Sequence, residues 1–103
     1  MLGAGFSEKV YEGALLEELR SRGVKARAQA CFRVRYRDKI VGKYFVDILV
    51  EDEIVVELKC VENLVPEHMA QCLNYLRASE LKIALLLNFQ RSKLGWQRIV
   101  NKY

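Results

Sequence analysis

Residues 45–59 read FVDILVEDEIVVELK, which is two short apolar runs separated by the acidic triplet 51–53. Apolar, β-branched runs of this length around a polar turn are typical of two strands joined in a hairpin. We therefore predict strands at 44–50 and 54–60. If the turn is centred on Asp52, then Asp47 and Glu57 lie at equal distances from it and directly opposite each other.

The sequence on both sides of this hairpin predicts a mixed sheet flanked by helices, an α/β (α+β) fold with the order α-β-β-β-α-β. The tail suits either an edge strand or a helix, and we favour a strand. The predicted elements are a helix at 6–22 ended by Gly23, a strand at 31–37, a tight turn at Asp38 and Lys39, the two hairpin strands, a helix from Pro66 to about Ala78, a strand at 83–88 and the tail strand at 93–100. The apolar side of the first helix is predicted to contain Phe6, Val10, Ala14, Leu15 and Leu19.

Length and composition predict one globular domain over residues 1–103. The chain is 51% hydrophobic and 29% charged, with six glycines and one proline, which excludes disordered and fibrous classes. A site is then built within one domain or across a homodimer. Its longest apolar run, 83–87, is far shorter than the roughly 20 residues of a membrane span, and no signal peptide is visible. We expect no membrane association and a cytoplasmic location, with the three cysteines as free thiols.

Basic residues are concentrated in one segment. Residues 20–43 hold nine Lys or Arg against one acid, whereas the rest of the chain has 8 basic and 12 acidic residues. Such a segment attracts polyanions, most commonly nucleic acid, but a merely solvated basic face is an equally good explanation. Alternate arginines on a strand suit successive phosphates or protect a sheet edge from aggregation. The candidate nucleic-acid-binding residues are Arg33, Arg35, Arg37, Lys39 and Lys43.

The opposed carboxylates of Asp47 and Glu57 are the strongest chemical signal. Two acids this close in apolar strands repel each other unless a positive charge lies between them. A divalent cation meets this need, and oxygen ligands favour Mg²⁺ or Mn²⁺ over Zn²⁺. Lys59 shares their face because it follows Glu57 by two residues, so it either orients the water and stabilises phosphate charge or simply neutralises the acids in a salt-bridge cluster.

Three motifs in this order resemble the PD-(D/E)xK nuclease superfamily and, within it, the GxxExxY protein family. They are Gly5-Phe6-Ser7-Glu8-Lys9-Val10-Tyr11, then Asp47 with Glu57-Leu58-Lys59, then Gln71-Cys72-Leu73-Asn74-Tyr75-Leu76. The resemblance runs from Leu2 to about Asn101 and implies a restriction-endonuclease-like fold. It also implies a Mg²⁺- or Mn²⁺-dependent nuclease acting on nucleic acid, DNA more than RNA.

The resemblance assigns roles by position. Asp47, Glu57 and Leu58 are the implied metal-binding positions, and Lys59 is the implied catalytic lysine. Glu8 is expected to point at the metal site, and Gln71 to contact substrate or position water. Tyr11 and Tyr75 are better explained as packing residues.

The sequence departs from the family pattern in two places. Val46 stands where the superfamily name has proline, which leaves the ligands untouched. Family members usually carry a further helical segment before the Leu-Gly-x-Gly turn, here residues 2–5, so the resemblance implies a domain shortened at its N-terminus.

Three functions stay open on the sequence. The first is a metal-dependent nuclease, favoured by the joint presence of Asp47, Glu57 and Lys59. The second is a catalytically inactive nuclease-fold module that binds nucleic acid or a protein partner, favoured by the small size. The third and weakest is a metal-stabilised oligomeric scaffold.

Overall fold

A computed structural model describes residues 5–90 and 95–101, and its strands form one mixed sheet. In chain order the elements are α1 (Glu8–Ser21), β1 (Ala26–Tyr36), β2 (Lys39–Val50), β3 (Ile54–Lys59), α2 (Pro66–Ser79), β4 (Ile83–Asn88) and β5 (Gly95–Val100). The strand order is β1-β2-β3-β4-β5, with β3 and β4 parallel and the other neighbours antiparallel. The predicted α+β fold is confirmed. Of the predicted tail strand, residues 93 and 94 lie outside the described residues, as do residues 2–4 of the glycine turn.

The β2–β3 hairpin has the predicted register, with the pairs Ile48–Val56, Leu49–Val55 and Val50–Ile54. Its turn is the acidic triplet, in which Glu51 and Asp52 adopt positive φ angles of 54° and 56°. Lys25 braces this turn, because its backbone N–H donates to Glu51 Oε1 at 3.0 Å and its ammonium pairs with Asp52. The turn is thus fixed by a residue that precedes β1.

The β1–β2 hairpin is longer than predicted, since β1 starts at Ala26 and β2 at Lys39. Its turn consists of Arg37 and Asp38, whose φ angles are 50° and 65°, and the prediction of a turn at Asp38 and Lys39 was wrong by one residue. Two-residue hairpin turns favour positive φ at both central positions, because their twist then matches that of the strands.

The two helices pack on opposite faces of the sheet. The α1 cluster contains Tyr11, Ala26, Ile48, Val56, Leu58 and Phe89, with Leu15, Leu16 and Leu19 packed against it. The α2 cluster contains Ala30, Val46, Leu49, Val55, Cys72, Leu76, Ala84 and Leu86. Neighbouring residues of β3 alternate between the clusters, as the pleat of a strand requires. Neither described helix has the length and apolar character that a membrane crossing requires.

The buried side of α1 differs from the prediction. Phe6 and Val10 are 47% and 41% exposed, whereas Tyr11 is 2% exposed. The Tyr11 ring stacks on Phe89 with 4.6 Å between the ring centroids, and its hydroxyl accepts the backbone N–H of Phe6 at 3.2 Å. This aromatic contact makes Tyr11, followed one and two turns later by Leu15 and Leu19, the inward side of the helix. Tyr11 is therefore a packing residue, as predicted.

Candidate active site

Asp47 and Glu57 lie together where β2 and β3 stop pairing through their backbones. The backbone N–H of Asp47 donates to Glu57 Oε1 at 3.1 Å, and the backbone N–H of Leu58 donates to Asp47 Oδ2 at 2.8 Å. Each strand thus donates one backbone N–H to the carboxylate of the other. These two bonds hold Asp47 and Glu57 opposite each other, one residue beyond the last backbone pair, Ile48–Val56, as the sequence predicted.

At Asp47 the side chains of β2 change the sheet face to which they point. Val46 packs in the α2 cluster and Ile48 in the α1 cluster, although residues two apart in a regular strand share a face. In β1 the same change of face occurs at Gln29, which lies between the pairs Ala28–Ile48 and Ala30–Val46 and has a φ of 53°. Asp47 therefore lies at the boundary between the two cores and is only half-buried.

Burial and like charge act together on Glu57. Glu57 is 5% exposed, and burial raises the pKa of its carboxyl group to about 8. The neighbouring Asp47 charge also raises this pKa, whereas Lys59 lowers it. An acid in this environment favours a proton or a cation beside it.

Lys59 is the last residue of β3, and its backbone is held by residues at the end of β4. The Phe89 N–H donates to the Lys59 carbonyl at 2.8 Å. Asn88, which pairs with Lys59, donates its side-chain N–H to the Val61 carbonyl at 2.8 Å and accepts the Val61 N–H through its side-chain oxygen at 3.1 Å. In the described part of the chain, no carboxylate oxygen lies within 4.0 Å of the Lys59 ammonium. Lys59 thus acts on Glu57 through space without being tied in an ion pair. Asn88 was not recognised from the sequence, where a polar residue ending an apolar run was the available signal.

Helix α2 contributes Cys72 and Tyr75 to the surroundings of the carboxylates. Burial and the charges of Glu57 and Asp47 raise the pKa of the Cys72 thiol and of the Tyr75 hydroxyl, each to about 12. Gln71, which the sequence predicted to contact substrate or position water, is exposed. It lies one turn before Tyr75 on the same side of α2.

Helix α1 contributes two acids near Asp47: Glu8, which the sequence predicted, and Glu12, which it did not. Glu8 lines a small cavity of about 70 Å³ together with Lys9, Glu12 and Asp47. Glu12 is 8% exposed and accepts hydrogen bonds from Lys9 Nζ at 3.2 Å and Gln29 Nε2 at 2.6 Å. Its position directly after Tyr11 was the available signal. Glu12 is committed to these partners, whereas Glu8 is exposed.

The donor set at the centre fits a hard divalent cation. Asp47 and Glu57 offer two carboxylates, each holding one backbone N–H through one oxygen, so the other oxygen remains for an ion. Leu58 has no polar side-chain atom and can offer only its peptide carbonyl. Among residues 5–90 and 95–101, no three His, Cys, Asp or Glu side chains come together as a metal cluster. Any ion held here therefore needs water or substrate oxygens to complete its shell.

The predicted nucleic-acid-binding residues are all exposed along the β1–β2 hairpin: Arg33, Arg35, Arg37, Lys39 and Lys43. Arg33 and Arg35 line a cavity of about 620 Å³ between the hairpin and α2. Arg37 lies in the turn with its guanidinium 5.4 Å from the ring centre of Tyr36. The structure therefore separates the first two arginines from the third.

Comparison with known proteins identifies the fold. A family model of the PD-(D/E)XK nuclease superfamily matches residues 1–99. The crystal structure of SSO0001 has a TM-score of 0.72 at 16% identity, covering 93% of this chain and 51% of that one. The crystal structure of an alkaline exonuclease (LHK-Exo) from Laribacter hongkongensis has a TM-score of 0.66 at 14% identity, covering 91% and 56%. The chain thus spans about half the length of these two proteins. No curated protein matches the sequence.

Proposed function

Because the chain belongs to the PD-(D/E)XK nuclease superfamily, we propose that it hydrolyses phosphodiester bonds in DNA with Mg²⁺ or Mn²⁺ at Asp47 and Glu57. The restriction-endonuclease-like fold and the divalent-metal chemistry general to this superfamily support the proposal. So does the alkaline exonuclease among the similar structures. We further propose that the chain belongs to the GxxExxY branch, on the motif at residues 5–11.

The single observation that carries the proposal is the exchange of backbone hydrogen bonds between Asp47 and the β3 segment that holds Glu57. It holds two acids side by side in a buried place, where both cannot be ionised without cost. A purely structural role would be better served by one acid and one base. The pair is therefore best explained as a ligand set.

In this mechanism Asp47 and Glu57 hold the cation, with the Leu58 carbonyl as a third candidate ligand. When bound, the cation stabilises negative charge on a phosphate oxygen and makes water a better nucleophile. Lys59 is free of ion pairs among the described residues, so its ammonium is available to a phosphate oxygen as charge develops there.

We propose supporting roles for Gln71 on α2 and Glu8 on α1, which come from opposite faces of the sheet. The exposed amide of Gln71 would bind substrate or hold a water molecule, since it can both donate and accept. The exposed Glu8 carboxylate on α1 shares a cavity with Asp47 and can accept a hydrogen bond from water there. Both assignments follow the family motifs.

The test is cleavage of labelled oligonucleotides of one sequence, as single- and double-stranded DNA and as RNA, in Mg²⁺, Mn²⁺ or EDTA. We expect cleavage of DNA with either ion, none in EDTA, and a loss of at least about 100-fold in Glu57→Ala. Glu53→Ala, which removes an exposed acid from the same hairpin, is the matched control and should cut normally. Light scattering on these samples determines whether the active species is a homodimer.

A wild-type protein that binds DNA but cuts nothing with any ion would overturn the enzyme proposal. The nuclease-fold binding module would then stand in its place.

A further inference from the structure

A cleft lies between the β1–β2 hairpin and the second half of α2. It has a volume of about 620 Å³, and its charged lining residues are Arg33, Arg35, Arg77 and Glu80. Arg33 and Arg35 come from β1, whereas Arg77 lies in the last turn of α2. We call this feature the arginine cleft. Its positive charge thus comes from two separate elements that face each other.

The three arginines are not neutralised within the described residues. The ion pairs there are Lys9–Glu12, Arg22–Glu18, Lys25–Asp52 and Arg27–Asp52, none of which involves the cleft. Glu80 is the one acid among the lining residues, and it forms no ion pair in that set. Phe32 packs against the α2 cluster, so the neighbouring Arg33 directs its side chain to the other face and lines the cleft through its backbone side, which leaves Arg35 and Arg77 as the closest sources of positive charge. Unpaired guanidinium groups beside a concave surface favour an anionic ligand, and their planar donors suit phosphate.

A pair of tyrosines joins the cleft to the carboxylates. Tyr44 lines the cleft, its hydroxyl donates to the Asn74 carbonyl at 2.8 Å, and its ring centre lies 4.5 Å from that of Tyr75. Tyr75 in turn lies within electrostatic range of Asp47 and Glu57. The tyrosine pair therefore connects the lining of the cleft to the surroundings of the carboxylate pair.

We infer that the arginine cleft binds the phosphodiester backbone of a nucleic acid strand, next to the phosphodiester bond that is cleaved at Asp47 and Glu57. The inference rests on the proposed function for its substrate class, but its evidence is the charge and placement of the cleft. The carboxyl end of α2 carries the negative end of the helix dipole, which disfavours an anion. Arg77 offsets this effect, and Glu80 opposes binding.

This arrangement predicts opposite effects for two neighbouring variants. Arg77→Ala should weaken binding severalfold and lower the slope of log affinity against log salt by about one, as expected for one lost phosphate contact. Glu80→Gln should strengthen binding, because it removes the opposing charge. Arg98→Ala removes an exposed arginine from β5, at the other edge of the sheet, and should leave binding unchanged.

The measurement is fluorescence anisotropy of a labelled DNA oligonucleotide in EDTA at several salt concentrations, so that cleavage does not contribute. Circular dichroism confirms that each variant is folded. Binding and salt slope equal to wild type in Arg77→Ala, or a wild type that binds no DNA, would overturn the cleft. If Arg77→Ala weakens binding but the wild type never cuts, the nuclease proposal fails and the cleft stands. If the wild type cuts and Arg77→Ala binds DNA normally, the cleft proposal fails and the nuclease proposal stands.

Discussion

Gln29 of β1 and Asp47 of β2 lie between the backbone pairs Ala28–Ile48 and Ala30–Val46, at the position where both strands change sheet face. Gln29 achieves this with a left-handed φ of 53°, and its side chain is bonded to the buried Glu12 of α1. Asp47 is consequently directed to the seam between the two cores, where a carboxylate can be reached from outside. The geometry of the candidate metal ligand thus depends on a backbone irregularity in the neighbouring strand.

Replacing Gln29 separates the role of its backbone from that of its side chain. Gln29→Gly and Gln29→Ala both lose the bond to Glu12, but glycine adopts positive φ without strain. We expect the glycine variant to be more stable than the alanine variant by about 1 kcal/mol in urea denaturation, and to keep more of the Mn²⁺ affinity. Equal stability and equal affinity in the two variants would show that the left-handed conformation is dispensable.

The sequence predicted those parts of the fold that depend on local signals. The β2–β3 register followed from two β-branched runs around the acidic turn, and it brought Asp47 and Glu57 together. The start of β1 was missed because residues 26–30, ARAQA, are small or polar and carry little strand propensity. The face exchange at Gln29 further breaks the alternation on which strand prediction relies.

Contacts distant in sequence could not be predicted in the same way. The bond between Gln29 and Glu12 and the bonds between Asn88 and Val61 join residues that only the folded chain brings together. The exposure of Gln71 likewise depends on how α2 is rotated over the sheet. An apolar stripe locates the centre of a buried helix face, but the burial of a residue at its margin depends on the packing partner.

Asp47→Asn is expected to separate metal binding from folding. It removes the repulsion between Asp47 and Glu57, and the amide oxygen can still accept the Leu58 N–H. In EDTA its melting temperature should equal or exceed that of wild type, whereas the stabilisation by Mn²⁺ should disappear. The control is Asp52→Asn in the exposed hairpin turn, which should keep the Mn²⁺ response. A clear loss of stability in EDTA would instead show that the charge of Asp47 stabilises the metal-free fold.

The metal-free protein should lose stability as the pH rises. Burial and Asp47 raise the pKa of folded Glu57 to about 8 from 4.5, so the folded state holds a proton that the unfolded chain releases between these values. The free energy of unfolding should therefore be largest below about pH 4.5 for this group and decrease, on the order of a few kcal/mol, through about pH 8. Urea denaturation in EDTA across this range measures the effect.

Glu57→Gln is the control for the pH profile, because a neutral side chain of the same shape should flatten this part of the curve. A stability that increases through the same pH range would show that Glu57 is ionised and paired in the folded protein.

The hairpin arginines should contribute unequally to DNA binding. Arg33 and Arg35 line the arginine cleft, whereas the guanidinium of Arg37 lies over the Tyr36 ring in the turn. Replacing the first two with alanine should lower the salt slope by up to about two, and Arg37→Ala should leave it nearly unchanged. If all three contribute equally, the hairpin acts as a diffuse basic arm; if none does, the arginines protect the β1 edge from aggregation.

Lys59→Ala should separate catalysis from binding. The cation is held by oxygen ligands, so this variant should keep its Mn²⁺-induced rise in melting temperature and bind DNA with the loss of at most one phosphate contact. Cleavage should nevertheless fall by about 10² to 10³, because the ammonium acts mainly on charge that develops in the transition state. The rates are measured on the same labelled oligonucleotides under single-turnover conditions.

Lys59→Arg provides the matched comparison, since it keeps the charge and changes its shape. The half-buried end of β3 beside Glu57 holds a compact ammonium on a flexible stem, whereas a planar guanidinium is bulkier and fixed in its fork. We therefore expect the arginine variant to cut little faster than the alanine variant. Full activity in Lys59→Arg would reduce the role of Lys59 to net charge. Full activity in Lys59→Ala would remove Lys59 from the mechanism and leave the carboxylates and the cation as the catalytic centre.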